Sequence, residues 1–319
     1  MILILTDTEE ATSDLIIDWL LYFKKDFIRI SNENTIYVKE IYETITGFEA
    51  ILDIEFNRVI RSIDTFDIQS YWYRRSDLFI NIPLIKTENE QIQIALQRHL
   101  NYEYISIARI INNILNRKLT INKYNDNNIS KLGILQYAKD SGMQIPHTII
   151  CKDKITLMDF YEKHNHKIIT KNIGDPFGLE KINFHCYTSK VNIDDIPDYF
   201  ALSLFQEMID KKIELRIFYL HKEIYSSAIF SQRDVQTQVD FRHYNSKKPN
   251  RVIPYKLPQE IENKIHKLMS LCDLNSGSID MVLTTKNEYV FLEVNPIGQF
   301  EQVSMPCNYN LFKRIAEIL

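Results

Sequence analysis

Two β-rich runs near the end of the chain, SIDMVLTT (278–285) and YVFLEVNPIGQF (289–300), are separated only by Lys286-Asn287-Glu288. Runs of this kind around so short a polar break predict a hairpin. Side chains two apart on a strand share a face, so Glu293 and Asn295 project together, and antiparallel pairing brings Asp280 to the same side. The result is a set of hard oxygen donors at a strand end. Such a set suits Mg²⁺, which keeps one or two protein carboxylates and takes its other ligands from nucleotide phosphates and water. An exposed hairpin with a capping Asn before Pro296 satisfies the same spacing, so the metal reading depends on the rest of the chain.

Two further islands lie upstream. In HKIITKNIGDPFG, Lys171 ends a β-branched run and is followed by Gly174 and Gly178. A lysine leaving a strand beside a glycine-bearing loop offers a phosphate one fixed charge and closely approaching backbone N–H groups. In LFQEMIDKKIELRIFYL, Glu207 follows an apolar run and Gln206, and precedes Met208 and Ile209. That crossing segment can present backbone and carboxylate to an adenine edge. Glu214 is placed to accept from ribose hydroxyls, and it shares a strand face with Arg216.

The order Lys131, Lys171, Gln206-Glu207, Glu214-Leu215-Arg216, Asp280, Glu293-Val294-Asn295-Pro296 resembles the ATP-grasp superfamily over roughly residues 120–319. The resemblance implies that Lys131 and Lys171 hold the phosphates of ATP, that Gln206 to Ile209 hold adenine, that Glu214 holds ribose, and that Asp280, Glu293 and Asn295 hold Mg²⁺. The expected fold class is α/β, an α+β ATP-grasp. It comprises an N-terminal α/β domain (1–120), a central ATP-grasp subdomain (121–200) and a C-terminal subdomain with the metal site (201–319), the two subdomains enclosing the nucleotide.

Three segments, YWYRRSD (71–77), DFRHYN (240–245) and EVNPIGQF (293–300), are similar to the maturases of graspetides, the ω-ester-containing or microviridin-like peptides, in their grasp-with-spasm form. This implies a macrocyclase that activates Asp/Glu side chains of a ribosomal precursor peptide as acyl phosphates and joins them to Ser/Thr hydroxyls. It also implies a leader that docks on the enzyme, and relatives of this kind commonly form homodimers. Glutamate ligases acting on ribosomal protein tails share the catalytic half, with a DIR-like motif where this chain has Glu214-Leu215-Arg216, and make amide formation the alternative. A non-catalytic, nucleotide-dependent peptide-binding module is disfavoured because the phosphate and metal positions are all present.

Guanidinium grips carboxylate or phosphate in bidentate fashion, so the candidates for holding the substrate carboxylate or γ-phosphate are Arg216 first, then Arg242, then Arg233. Each could instead form a surface salt bridge. Tyr71-Trp72-Tyr73 beside Arg74-Arg75 could stack on a nucleic-acid base, but a strand packing its aromatics at a domain interface is favoured. Arg74 and Arg75 are then structural or substrate-facing. Lysine and arginine number 38 against 42 acidic residues, a net charge of −4, so no global basic field argues for nucleic acid.

The four cysteines are widely spaced without a CxxC, which reads as free thiols in a reducing compartment. The first apolar run is cut by Asp7 and has no basic flank, unlike a signal peptide. No stretch approaches the ~20 apolar residues of a spanning helix, so a cytoplasmic setting is expected. Along the chain, Met1 to Leu5 predicts a buried strand, Asp14 to Phe23 an amphipathic helix and Thr87 to Leu115 a long helix. Ser130 and Gly142 bracket a further helix. Lys131 sits in its first turn against the dipole preference, an arrangement a bound phosphate would offset. A helix is expected around Ile193 to Phe205.

Overall fold

The computed structural model describes residues 1–124, 126, 129–174, 188–231 and 250–319, with the backbone of two short strands at 178–179 and 184–185. The chain forms two compact units, 1–127 with 310–319, and 128–309.

In the first unit, β1 (Ile2–Thr6) is followed by α1 (Ala11–Tyr22) and β2 (Phe27–Ile30), which pairs with β1 in parallel. An antiparallel meander follows, of β3 (Thr35–Thr44), β4 (Gly47–Phe56) and β5 (Val59–Asp64). Next come β6 (Ser70–Arg74), the 27-residue α2 (Glu90–Asn116) and β7 (Leu119–Ile121). β1, β2, β6 and β7 make one parallel sheet in the order β2-β1-β6-β7. A central parallel strand is buried on both faces and reads as an unbroken apolar run, which is why every residue of β1 is buried. β6 is buried throughout for the same reason, and Tyr71, Trp72 and Tyr73 are core residues at 0%, 1% and 2% exposure. Their aromatic surface belongs to the interior of this unit, which rules out base stacking. Arg74 is buried with them and donates to Glu10 from Nη2 at 3.0 Å and from Nε at 3.2 Å, while Glu10 caps α1 by accepting from the Ser13 N–H at 2.8 Å.

The second unit holds two main sheets. It begins with α3 (Lys131–Asp140), β8 (Thr148–Asp153), α4 (Lys154–Lys163) and β9 (Ile168–Lys171). The short β10 (Gly178–Leu179), β11 (Phe184–His185) and β12 (Ser189–Lys190) lead to β13 (Tyr199–Glu207). β14 (Lys211–Leu220), β15 (Glu223–Phe230), β16 (Arg251–Pro254), α5 (Gln259–Leu271), β17 (Ser276–Thr284), β18 (Tyr289–Asn295) and α6 (Glu301–Cys307) complete it. The small sheet has the order β12-β9-β13-β8, and the large one β16-β15-β14-β17-β18, antiparallel throughout.

One face of the large sheet carries Ile213, Leu215, Ile217, Ile279, Met281, Phe291 and Val294 against Ile134, Leu135 and Ala138 of α3 and Ile261, Ile265, Leu268 and Met269 of α5. Those helix positions recur at i, i+3 and i+4, the stripe by which an amphipathic helix covers a sheet. Each of the Ile, Leu, Met, Phe and Val side chains, fully buried, contributes about 1.5–3 kcal/mol. Strand alternation leaves the opposite face to Glu214, Arg216, Ser278, Asp280, Glu293 and Asn295.

Three features depart from the sequence expectations. Residues 193–205 are not a helix. A 3₁₀ turn spans Ile193–Asp195, Ile196 turns extended at φ −91°, ψ 124°, and β13 follows. Pro197 is the cause, because a residue before proline is driven out of the helical region. β13 then pairs with β8 and β9, so the large sheet begins with β14 rather than at residue 201. The C-terminal helix α7 (Leu311–Ile318) packs on α1 in the first unit, where Lys25 Nζ donates to the Ala316 carbonyl at 2.9 Å and Ser70 Oγ to the Leu319 carbonyl at 2.8 Å. Ser130 does occupy the N-cap position of α3, but its side chain makes no capping bond.

Candidate active site

The polar face of the large sheet lines up residues from three adjacent strands. Arg216 of β14 is directly opposite Asp280 of β17, Asp280 is opposite Glu293 of β18, and Ser278 is opposite Asn295. A β-bulge after the Asp280–Glu293 pair shifts the register, so that Phe291 and Val294 both reach the apolar core while Glu293 stays on the polar face. Bulges re-aim side chains in this way next to functional sites. The Arg216 guanidinium donates through Nη1 to the Asp280 carboxylate, both residues being buried. Arg216 Nε is also buried and has no hydrogen-bond acceptor among the described residues. A buried donor in this position is costly unless an acceptor arrives.

Past β18 the chain turns sharply. The Gly298 N–H donates to the Asn295 carbonyl at 3.0 Å, and Ser278 Oγ donates to the Gln299 carbonyl at 2.6 Å. Asn at the first turn position, Pro296 at the second and Gly at the fourth is the residue preference of a type I turn.

Glu214 lies two residues before Arg216 on the same face, 7% exposed. It accepts from Ser231 Oγ and pairs with Lys211 Nζ at 3.0 Å. Burial pushes its carboxyl above the usual range against the opposing pull of Lys211. A side chain three residues away on a regular strand faces the other side; here a register shift between Lys211 and Ile213 brings Lys211 round. Lys211 and Ser231 were not identified from the sequence, since strand periodicity points Lys211 away and nothing local links Ser231 to Glu214.

Gln206 to Ile209 form the end of β13 and the crossing to β14. Gln206 is buried and donates to Thr148 Oγ1 at 2.9 Å. The Glu207 N–H donates to the His147 carbonyl at 3.0 Å, and Glu207 Oε1 accepts from the His147 N–H at 2.9 Å. The Met208 N–H donates to the Lys167 carbonyl at 2.9 Å, whereas the Ile209 N–H makes no hydrogen bond among the described residues. Lys171 ends β9, and Lys131 Nζ donates to the carbonyl of Gly174, so the first-turn lysine of α3 reaches the loop that Lys171 opens. Arg233 and Arg242 lie outside the described residues.

Residues 127–319 match the family of the RimK-like ATP-grasp domain. The chain belongs to this family. Its ATP-grasp fold is shared with solved structures across the whole length. The macrocyclase MdnC of Microcystis aeruginosa MRC, bound with precursor peptide MdnA, is 23% identical with a TM-score of 0.72 over 100% of this chain and 99% of that one. A RiPP-associated ATP-grasp ligase of Chryseobacterium gregarium, in complex with ADP and a leader and core peptide, is 23% identical with a TM-score of 0.77, covering 99% and 94% of the respective chains. The ATP-grasp ligase PsnB, complexed with a minimal precursor, Mg and ADP, is 13% identical with a TM-score of 0.69, covering 99% and 95%. No curated protein sequence matches the chain.

As an ATP-grasp protein, the chain binds ATP. Among its described residues no helix is long and apolar enough to cross a membrane.

Proposed function

We propose that the protein is an ATP-dependent macrocyclase of the graspetide type, and that the row Arg216–Asp280–Glu293 across three strands is the centre of its site. The row is the observation that carries the reading: it puts two carboxylates and a guanidinium whose buried Nε–H has no acceptor among the described residues on one sheet face. That N–H fits an anionic oxygen such as that of a phosphate or an acyl phosphate. Lys131 and Lys171 would grip the β- and γ-phosphates, the Gln206–Ile209 crossing would take adenine through the Ile209 N–H, and Glu214 would accept from ribose. Arg242 and Arg233 remain further candidates for the substrate carboxylate. The donors fit Mg²⁺ as well: Asp280, Glu293 and Asn295 are all oxygen ligands on one face. When bound there, the ion would neutralise charge on the transferred phosphoryl group.

In the reaction, an Asp or Glu carboxylate of the precursor attacks the γ-phosphorus and ADP leaves. A Ser/Thr hydroxyl then attacks the acyl carbon of the acyl phosphate, expelling phosphate and closing an ester ring. Arg216 would hold the attacking carboxylate or the acyl phosphate in place, since positioning and charge stabilisation carry most of such catalysis. The macrocyclase reading is supported by likeness to a precursor-bound macrocyclase and to a RiPP-associated ligase bound with leader and core peptide, a likeness that extends through the N-terminal unit. Amide ligation onto a protein or peptide tail is the second reading, favoured by the RimK-like match and the Glu214-Leu215-Arg216 sequence. Free thiols at Cys151, Cys272 and Cys307 fit action in the reducing cytoplasm.

The test is the intact mass of a Thr/Ser- and Asp/Glu-rich precursor peptide incubated with the enzyme, ATP and Mg²⁺. Loss of one water per link with the wild type, absent with Glu293→Ala and reversed by mild base, is expected. A mass gain from an added amino acid would replace macrocyclisation with amide ligation.

A further inference from the structure

The crossing between the two sheets of the second unit, whose backbone is assigned above to adenine, also carries a side-chain constellation that the reaction steps above do not use. His147 enters β8 directly after Pro146, His164 follows the last turn of α4, and Glu207 ends β13. Their three ligand atoms lie within 4.8 Å of one another. Glu207 Oε2 is 3.4 Å from His164 Nδ1 and 3.9 Å from His147 Nδ1. A tetrahedral metal with bonds of ~2.0–2.2 Å needs ligand atoms about 3.3–3.5 Å apart. The Glu207–His164 separation already meets that, and His147, whose side chain is 64% exposed, has room to rotate about its side-chain torsions and draw its ring in from the present spread of up to 4.8 Å.

The carboxylate is also held in position. Its other oxygen, Oε1, accepts from the His147 backbone N–H at 2.9 Å, the kind of outer support that orients metal-ligating carboxylates. The His164 side chain is 9% exposed and lies beside the Phe160 ring, with centroids 4.4 Å apart, and its Nε2 has no partner among the described residues. Glu207 is thus the acidic partner of this partly buried imidazole, facing its Nδ1. The two imidazoles, 5.1 Å apart, converge on one carboxylate oxygen. A simple ion pair needs only one of them.

We propose that His147 Nδ1, His164 Nδ1 and Glu207 Oε2 form a site for a borderline first-row divalent cation of the zinc class, its fourth position open to water. Two imidazoles and one carboxylate are the donor set of such ions rather than of Mg²⁺, which takes oxygen ligands. The bound cation ties the start of β8, the end of α4 and the last residue of β13, and so fixes the segment from which the chain crosses to β14. The site shares Glu207 with the crossing assigned to adenine, and its test does not require turnover or nucleotide.

The probe is Zn²⁺ titrated into the full-length protein against a chromophoric chelator, with Co²⁺ as spectroscopic reporter. Among eight histidines, adventitious binding is controlled with His166→Ala, which removes an exposed imidazole paired to Glu162 at 2.8 Å. One equivalent of Zn²⁺ is expected in the wild type and in His166→Ala. Loss of a ligand should cost more than the ~10–100-fold that removing an outer-shell partner costs, so at least tenfold weaker binding is expected in His147→Ala, His164→Gln and Glu207→Gln. The cobalt complex should show visible d–d bands that disappear in His147→Ala, an exposed position where misfolding is not a concern. Unchanged zinc affinity in His147→Ala, or loss of binding in His166→Ala instead, overturns the proposal.

Discussion

The turn that follows Asn295 gives the most direct test of how the site is built. A Cβ added at Gly298 would lie 2.3 Å from Ser278 Cβ, 2.6 Å from Ser278 Oγ and 2.8 Å from the Asn295 carbonyl oxygen. Real Cβ atoms essentially never come within 3.0 Å of such neighbours. Neither Ser278 Cβ, fixed by β17 between β14 and β18, nor the Asn295 backbone can swing away as a flexible side chain would, so Gly298→Ala forces the turn itself to move. Overpacking of this kind costs about 1–3 kcal/mol, and with backbone as one obstacle the upper half applies. For a unit of this size, ~2–4 °C per kcal/mol makes that a fall in Tm of roughly 4–12 °C. The same shift moves Asn295, and a displacement of ~1 Å in a positioning group can cost ~10²-fold in rate. Melting followed by circular dichroism and ATP turnover in the presence of peptide read the two effects. Ser278→Gly removes the two shortest contacts and leaves only the carbonyl, so the double variant should recover stability with a coupling of about 1 kcal/mol or more. A Gly298→Ala protein that melts with the wild type, or a double variant without coupling, would refute the argument that close approach to β17 demands glycine here.

Arg74→Met leaves Glu10 without its partner in the core of the first unit, a loss of roughly 3–5 kcal/mol for a broken buried pair, measurable by urea unfolding. Burial pushes the Glu10 carboxyl up, but Arg74 and the hydroxyls of Ser13 and Thr12 outweigh it and hold it below the ordinary value of 4.5. A depressed carboxyl contributes stability that is present above its unfolded pKa and lost as pH falls through the folded one. The gap between wild type and Arg74→Met should therefore narrow below about pH 4.5, as unfolding at a series of pH values would show. Glu214 has the opposite sign: burial raises its folded pKa, so its contribution is full below the unfolded value and is lost as pH rises through the folded one. Glu214→Gln should lose that dependence, shifting the stability difference in the variant's favour from pH 4 to pH 7, and should weaken nucleotide binding measured by calorimetry. Asp280→Asn keeps an acceptor oxygen but removes the charge that compensates the buried Arg216 guanidinium, so it should lower stability by ~3–5 kcal/mol as well as abolish turnover. Glu293→Ala, partly exposed and opposite Asp280, should abolish turnover with little change in urea midpoint.

What could be read from the sequence follows from which features are local. The hairpin of β17 and β18 was legible because alternation, a short polar break and Asn-Pro-x-Gly all act within about twenty residues, and the Asp280–Glu293 pairing then needs no further information. The Arg216–Asp280 partnership, 64 positions apart, was only half visible: periodicity placed Arg216 on the face of Glu214, but the neighbour relation of β14 and β17 is a property of the sheet. Lys211 was missed because a bulge breaks the periodicity from which its direction would be inferred. The strand at 199–207 was mistaken for a helix because Ala201, Leu202 and Leu204 favour helix and carry no clean alternation. What decided it was the extended backbone that Pro197 imposes on Ile196, together with open edges on β8 and β9, which sequence propensity does not weigh.

The same reasoning explains why the two faces of the large sheet take such different chemistry at no cost to each other. With a period of two, every residue of β14 and β17 is assigned to the apolar core under α3 and α5 or to the row with Arg216 and Asp280, and a slip of one residue would exchange them. Burying Ile279 and Met281 therefore fixes the position of Asp280 between them as firmly as any contact Asp280 makes itself. Arg216 is fixed in the same way by Leu215 and Ile217 on either side. The ion pair is not needed to hold the strands in register, so under the proposed function its two partners can exchange each other for phosphate, carboxylate or cation. An apolar core that sets register independently of the polar face lets that face keep a buried guanidinium whose Nε–H has no acceptor among the described residues, which a site stabilised by its own charges would not tolerate.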